Sequence, residues 1–287
     1  MTVLDADDCA RNTIDFHAQS LSLAYEDHEV IHELSLAIPS QKITALVGPN
    51  GSGKSTLLKG LARMMKPTGG AVYLDSQAIH RLPTKQVAKR LAMLPQRPEA
   101  PDGLTVRELV AFGRFPHQGF FGICTEEDDA KIEQALEITG IAEMADHPLG
   151  ELSGGQRQLA WVAMALAQDT RLLLLDEPTT FLDMAHQIEV LDVLDRLNRD
   201  HGRTIVMVLH DLNLAARYAA CMVVVGGGKV LHQGTPWDIM QPSVLATAFG
   251  VEATILRDPK SGAPICVPYS PQNGSRDQKK HEKDDSV

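Results

Sequence analysis

The sequence predicts an α/β fold: a parallel-sheet core with an antiparallel β subdomain and an inserted α-helical subdomain. Three observations lead there. The apolar run Ile43-Thr44-Ala45-Leu46-Val47 passes into Gly48-Pro49-Asn50-Gly51-Ser52-Gly53-Lys54-Ser55-Thr56 and then Leu57-Leu58-Lys59-Gly60-Leu61, giving a buried strand, a glycine turn and a helix in succession. Leu172-Leu173-Leu174-Leu175, bounded by charge, fits a central parallel strand covered on both faces. Between these two, residues 97 to about 168 turn from strand patterns to helical ones with their own capping signals.

Along the chain, residues 1–15 form a polar leader without a motif. From Phe16 to Ile38, Leu21, Leu23 and Tyr25, then Leu34, Leu36 and Ile38, alternate with smaller or polar residues. That pattern predicts two half-buried antiparallel strands around an Asp27-His28-Glu29 turn. Tyr25 ends the first strand, where an aromatic suits either stacking on an adenine ring or packing in the sheet; spacing does not choose between them. In the loop that follows, Gly48, Gly51 and Gly53 let the backbone wrap round a polyphosphate at the positive end of a helix. Lys54 would reach the β and γ phosphates, and the Ser55 hydroxyl would bind Mg²⁺. A G-x-x-x-x-G-K-[ST] match arises by chance in roughly one chain in a hundred of this size, and the strand and helix around it cut that further.

Lys66 to Gly70 is a turn and Ala71–Leu74 a strand; a short helix near Thr84 to Arg90 precedes the strand Leu91–Leu94. Gln96 stands just beyond that strand's end, where α/β folds place ligand contacts. Thr105-Val106-Arg107-Glu108 is a capping box opening a helix through Phe112, and Thr125-Glu126-Glu127-Asp128 caps a second helix to Gly140. Between them, Phe115, Phe120 and Phe121 lie among glycines in a loop suited to docking or to folding back on its own helices. Leu152-Ser153-Gly154-Gly155-Gln156 heads a helix whose apolar face is Leu159, Val162, Ala163, Leu166 and Ala167, a second anion-seeking helix start.

After the leucine strand, Asp176 would hold the Mg²⁺ shell and Glu177 would orient or deprotonate an attacking water. Thr179 to Asp183 is a turn opening an amphipathic helix, Met184 to Arg199. Thr204 to Leu209 is a further buried strand, and His210 directly after it is a candidate γ-phosphate contact. Met222–Val225 and Lys229–His232 form a hairpin round three glycines, Thr235-Pro236-Trp237-Asp238 starts a helix, and from about Ser270 the chain reads as a charged, disordered tail.

Composition narrows the function classes. The net charge of −10 argues against nucleic acid as the main partner, because phosphate-backbone binding needs a positive surface. Cys9, Cys124, Cys221 and Cys266 are scattered and form no CxxC pair, which disfavours a disulfide framework or zinc site and suits a cytosolic protein. No run approaches the roughly 18 apolar residues of a membrane span, and Asp5, Asp7 and Asp8 stand where a basic signal would be, so the chain is expected to reach a membrane only through a partner.

In this order and spacing, Gly48 to Thr56, Gln96, Leu152 to Gln156, Leu172 to Glu177, Asp183 and His210 resemble the nucleotide-binding subunit of an ABC transporter, over about residues 16 to 250. The resemblance implies a P-loop NTPase (ABC ATPase) core at 16–268, with the helical insertion at about 97–168 and a charged tail at 269–287. It also implies roles. Tyr25 stacks on adenine, while Gly48, Pro49, Asn50, Gly51, Ser52, Gly53, Lys54, Ser55 and Thr56 hold the ATP phosphates and Mg²⁺. Gln96 couples to the membrane subunit and joins Ser55 and Asp176 as a metal residue; Glu177 is the catalytic base, assisted by Lys54 and His210. Two copies pair head to tail as a homodimer, so that Ser153, Gly154, Gly155 and Gln156, with Asp183, join the ATP contacts, Ser153 and Gly155 capping the ATP held by Lys54 of the other copy.

The short helical insert is unlike the coiled-coil arms of chromosome-maintenance relatives, and a single ATPase unit is unlike the tandem ribosome-associated members. No membrane domain is fused, and too little chain follows Met240 for the regulatory domain of sugar importers. Leu104 to Pro116, Pro178 to Asp183 followed by His186-Gln187, and Leu209 to Asn213 followed by Ala215 to Tyr218 are similar to the ferric-siderophore import group. The implied function is ATP hydrolysis that powers ferric-siderophore import, on integral membrane permease subunits at the cytoplasmic face of the bacterial inner membrane. A siderophore-binding protein would serve it indirectly. The alternatives are a cobalamin or haem importer ATPase and, in a different class, a soluble ABC ATPase without transport.

Overall fold

The computed structural model describes residues 13–119 and 124–271. The first strands, β1 (Phe16–Tyr25) and β2 (His28–Ile38), pair antiparallel with Phe16 opposite Ile38 and Tyr25 opposite His28. The reversal therefore falls at Glu26-Asp27, earlier than the pattern indicated, with Glu26 taking the positive φ of 51° that closes so short a loop. Then come β3 (Ile43–Val47), α1 (Lys54–Leu61), β4 (Gly69–Leu74), β5 (Gln77–Ala78), α2 (Thr84–Ala88) and β6 (Leu91–Leu94). Three helices follow, α3 (Val106–Phe112), α4 (Glu126–Thr139) and α5 (Gly154–Ala167), before β7 (Leu172–Leu175) returns the chain to the sheet. The remainder is α6 (Met184–His201), β8 (Thr204–Val208), α7 (Leu212–Tyr218), β9 (Cys221–Gly226), β10 (Lys229–Gly234), α8 (Pro236–Ile239), α9 (Pro242–Phe249), β11 (Val251–Arg257) and β12 (Pro264–Pro271).

The strands assemble into a four-stranded antiparallel sheet of order β2-β1-β4-β5 and a six-stranded sheet of order β10-β9-β3-β8-β7-β6. In the second sheet all neighbours run parallel except β9 and β10. Its central strands are buried on both faces, and their period of two divides them between two cores. Ile43, Ala45, Val47, Leu173, Leu175, Ile205 and Met207 face a core shared with α3, α4, α5 and α6. Leu46, Leu172, Leu174, Val206 and Val208 face a second core with α1 and the antiparallel sheet. An unbroken apolar run is what a strand between two such cores requires. The phosphate loop leaves β3 at its C-terminal end, the edge where parallel sheets present their ligand sites.

The helical insertion is fastened from within. Both capping boxes expected at Thr105/Glu108 and Thr125/Asp128 form. Arg114, just past α3, is 2% exposed and donates from Nε to Asp128 Oδ1 at 2.7 Å and from Nη1 to the Ala167 carbonyl at 2.8 Å, joining α3, α4 and the end of α5. In the aromatic loop, Phe115 stacks on Phe112 at 5.0 Å and is exposed; Phe120 and Phe121 lie outside the described residues. The C-terminal hairpin β11–β12 had no counterpart among the expected elements. Asn213 of α7 clamps its second strand, donating to the Cys266 carbonyl and accepting from the Cys266 N–H, and β12 runs to Pro271, beyond the 269 boundary assigned to the tail.

Candidate active site

The phosphate loop is built by its backbone. Gly48 sits at φ 149°, and a Cβ there would lie 2.1 Å from the Val225 carbonyl oxygen, so only glycine lets the turn leave β3 past β9. Lys54 opens α1 with its side chain curled back into the loop, Nζ donating to the carbonyls of Gly48 at 2.9 Å and Pro49 at 2.8 Å. Burial lowers the Lys54 pKa, opposed by the carboxylates of Glu177 and Asp176. The Lys54 ammonium is thus held by two backbone carbonyl dipoles of the loop.

Asn50 to Thr56 line an open cavity of about 410 Å³ together with Val30, Glu177 and His210. These last two come from the ends of β7 and β8, more than a hundred residues downstream of the loop in sequence but on the two strands that follow β3 in the sheet order. Ser55 Oγ donates to Asp176 Oδ1 at 2.8 Å. Adjacent ligands of an octahedral cation bound at 2.1 Å stand about 3.0 Å apart, so this pair suits two neighbouring positions round a small oxygen-ligated ion. Burial raises the Asp176 pKa, with the neighbouring Glu177 charge in the same sense and the Ser55 hydrogen bond against it.

Glu177 is held at both oxygens. His210 Nε2 lies 2.6 Å from Oε1, while Oε2 accepts from Gln96 Nε2 at 2.6 Å and from Thr180 Oγ1 at 2.9 Å. Burial works against ionisation of this carboxyl, but the hydrogen bonds from His210, Thr180 and Gln96 outweigh it and hold the pKa below the ordinary value. Glu177 also has a φ of 53°, a strained conformation for a residue with a side chain. Gln96 thus stands on Glu177; its recorded partner is not the Ser55–Asp176 pair with which it was grouped as a metal residue.

The remaining candidates lie elsewhere. Tyr25 is 48% exposed at the end of β1 and does not line the cavity. Ser153 to Gln156 are also absent from its lining; the Ser153 hydroxyl caps α5 by accepting from the Gln156 N–H, and the Gln156 side chain accepts from the Ser153 N–H. A Cβ on Gly155 would meet the His186 ring at 2.1 Å, so glycine lets α5 start against the start of α6. There Asp183 caps α6 and accepts from His186, through its N–H at 3.0 Å and with ring Nδ1 at 2.7 Å. The predicted residues therefore form two groups, Lys54, Ser55, Gln96, Asp176, Glu177 and His210 at the loop and Ser153 to Gln156 with Asp183 beside α6, with Tyr25 apart from both. Sequence reasoning missed Thr180 and Val30. The hydroxyl three residues after Glu177 is a readable signal for the first; Val30 is brought in by the fold alone.

Residues 31–180 match the ABC transporter family model. The iron(3+)-hydroxamate import ATP-binding protein FhuC of Bacillus subtilis (strain 168) is 53% identical over 251 residues, covering 88% of this chain and 93% of the relative. The ferric enterobactin transport ATP-binding protein FepC of Escherichia coli (strain K12) is 45% identical over 250 residues, with 87% and 92% covered. Among solved structures, the dimeric bacterial ABC transporter cassette MJ0796 superposes with a TM-score of 0.68 at 27% identity, covering 77% of this chain and 98% of that one.

Proposed function

The chain belongs to the ABC transporter family, and on that membership we propose that it is the ATP-hydrolysing subunit of a ferric-siderophore importer. The observation that carries the catalytic part is the convergence of the glycine loop with Lys54, Glu177 and His210 on one cavity. Relatives named for ferric hydroxamate and ferric enterobactin transport support the cargo class.

The reaction follows from the side chains present. Loop N–H groups and Lys54 bind the ATP phosphates, neutralising charge as it develops on the γ-phosphoryl group. The Ser55 hydroxyl and the Asp176 carboxylate would hold Mg²⁺, which would supply charge neutralisation at the phosphates. Glu177 orients the attacking water and accepts its proton as the water oxygen bonds to the γ-phosphorus and the bond to the β-bridging oxygen breaks, leaving ADP and phosphate. His210, now on Glu177 Oε1, turns to the γ-phosphate and frees that oxygen for the water. Ser153 and Gly155 complete the site on the ATP of a second copy.

Among the described residues no helix is long and apolar enough to cross a membrane, so import requires permease subunits, with the chain peripheral at their cytoplasmic side and a siderophore-binding protein delivering cargo. The test is uptake of iron-55 siderophores, beside labelled haem and cobalamin, in cells whose only copy is wild type or Glu177→Gln. Loss of siderophore uptake alone is expected. Loss of haem or cobalamin uptake instead reassigns the cargo, and survival of all three removes the import assignment.

A further inference from the structure

Phe181 is the most exposed large apolar side chain of the described residues, at 79%, and it has a positive φ of 66°, a conformation that costs an aromatic residue of order 1 kcal/mol or more. It follows directly on Thr180, whose hydroxyl donates to Glu177 Oε2. Across from it, Arg97 follows directly on Gln96, whose amide donates to the same oxygen. The Arg97 guanidinium lies over the Phe181 ring, 5.7 Å from its centroid, and among the described residues it has no carboxylate partner. Two chain segments, more than eighty residues apart in sequence, are thus joined by two rungs: a polar one at Glu177 Oε2 and a cation–π contact one residue further out.

We propose that Arg97 and Phe181 form a positioning pair, a clasp that keeps the Gln96 amide and the Thr180 hydroxyl together on Oε2 of Glu177 and so leaves Oε1 as the oxygen that serves water. Neither residue touches the reacting atoms. Gln96 and Thr180 each sit on a loop, and side chains on loops hold a catalytic geometry only when a second set of contacts fixes them. The guanidinium and the ring supply that second contact, offsetting the strain at Phe181. The inference rests on Glu177 being the base.

The test is ATP hydrolysis by the full chain carrying Arg97→Gln, Phe181→Leu, both together, or Phe181→Tyr. Loss of one exposed cation–π contact predicts a fall in kcat of roughly threefold to fivefold in each of the first two, with KM for ATP unchanged. The double variant should be no slower than either single one, because both remove the same contact, and Phe181→Tyr, which keeps the ring, should restore most of the rate. Additive losses, a change confined to KM, or a Phe181→Tyr protein as slow as Phe181→Leu would overturn the clasp. So would loss of the ATP-dependent dimer on size exclusion when Phe181→Leu is placed in a Glu177→Gln background, since Phe181 would then act at the face between copies. Glu177→Gln alone separates the two levels: near-normal turnover defeats the base assignment, whereas an inactive Glu177→Gln with additive losses defeats only the clasp.

Discussion

Two clusters in this molecule each centre on a carboxylate held by side-chain donors, and they behave in opposite ways. Arg114 and Asp128 meet in the helical insertion with side chains 2% and 4% exposed, tied also to Thr125 and the Ala167 carbonyl. Glu177 and its donors stand at the mouth of a cavity, with the Glu177 side chain 9% exposed and His210 45% exposed. In the first cluster nothing can be exchanged without leaving a buried charge. In the second, the half-exposed His210 can exchange Glu177 Oε1 for water or phosphate while Gln96 and Thr180 stay on Oε2. A closed network fixes a shape, and an open one fixes a resting state from which chemistry can start.

The largest effect should come from breaking the closed pair. Arg114→Ala strands the Asp128 carboxylate and should destabilise the fold by about 3–5 kcal/mol, read as a lowered midpoint in urea. Replacing both partners, Arg114→Met with Asp128→Leu, should return most of that stability; if the double variant is as unstable as the single one, the pair contributes more than charge burial. Its pH signature has a definite sign. Burial opposes ionisation of Asp128, yet bonds from Thr125 and Arg114 depress its folded pKa, so its contribution is complete above the unfolded carboxylate value near 3.9 and is lost as pH falls through the lower folded value. The stability gap between wild type and Asp128→Asn should therefore close in acid and stay constant from pH 6 to 8.

At the open cluster the effects appear in rate. Lys54→Ala should abolish hydrolysis and weaken ATP binding. Glu177→Gln should slow turnover by on the order of a hundredfold or more while keeping ATP bound as a dimer, with the unfolding free energy within about 1 kcal/mol of wild type. A large loss of stability in Glu177→Gln would erase the contrast between the clusters. The smallest effect belongs to Thr180→Val: one donor is lost from an oxygen that Gln96 also holds, and water can replace it, so kcat should fall by roughly fivefold or less. A loss as large as that of Glu177→Gln would make Thr180 an essential member of the site.

Legibility in the sequence followed distance along the chain. The phosphate loop, the capping boxes at Thr105 and Thr125, the four-leucine strand and His210 after β8 are each contained in a dozen residues or fewer, and their backbone conformations depend on local sterics and hydrogen bonds. Asp176 and Glu177 could be named because a strand end in a parallel sheet is a ligand edge whatever surrounds it. The β11–β12 hairpin escaped because it is fastened to the fold by Asn213, over fifty residues upstream of Cys266, and its exposed faces lack strict alternation.

By itself, then, the sequence determined the fold class and named the loop, strand-end and helix-start residues proposed to act on phosphate, because those depend on patterns the backbone can read locally. Tertiary structure alone decided how they engage one another. It set Gln96 and Thr180 on one oxygen of Glu177, and it kept Ser153 to Gln156 away from the cavity of their own chain. It also laid Arg97 over Phe181 and sealed Arg114 against Asp128. Each of these contacts joins separate segments, and side-chain pairing at such range is fixed by how sheets and helices pack and not by any spacing along the chain.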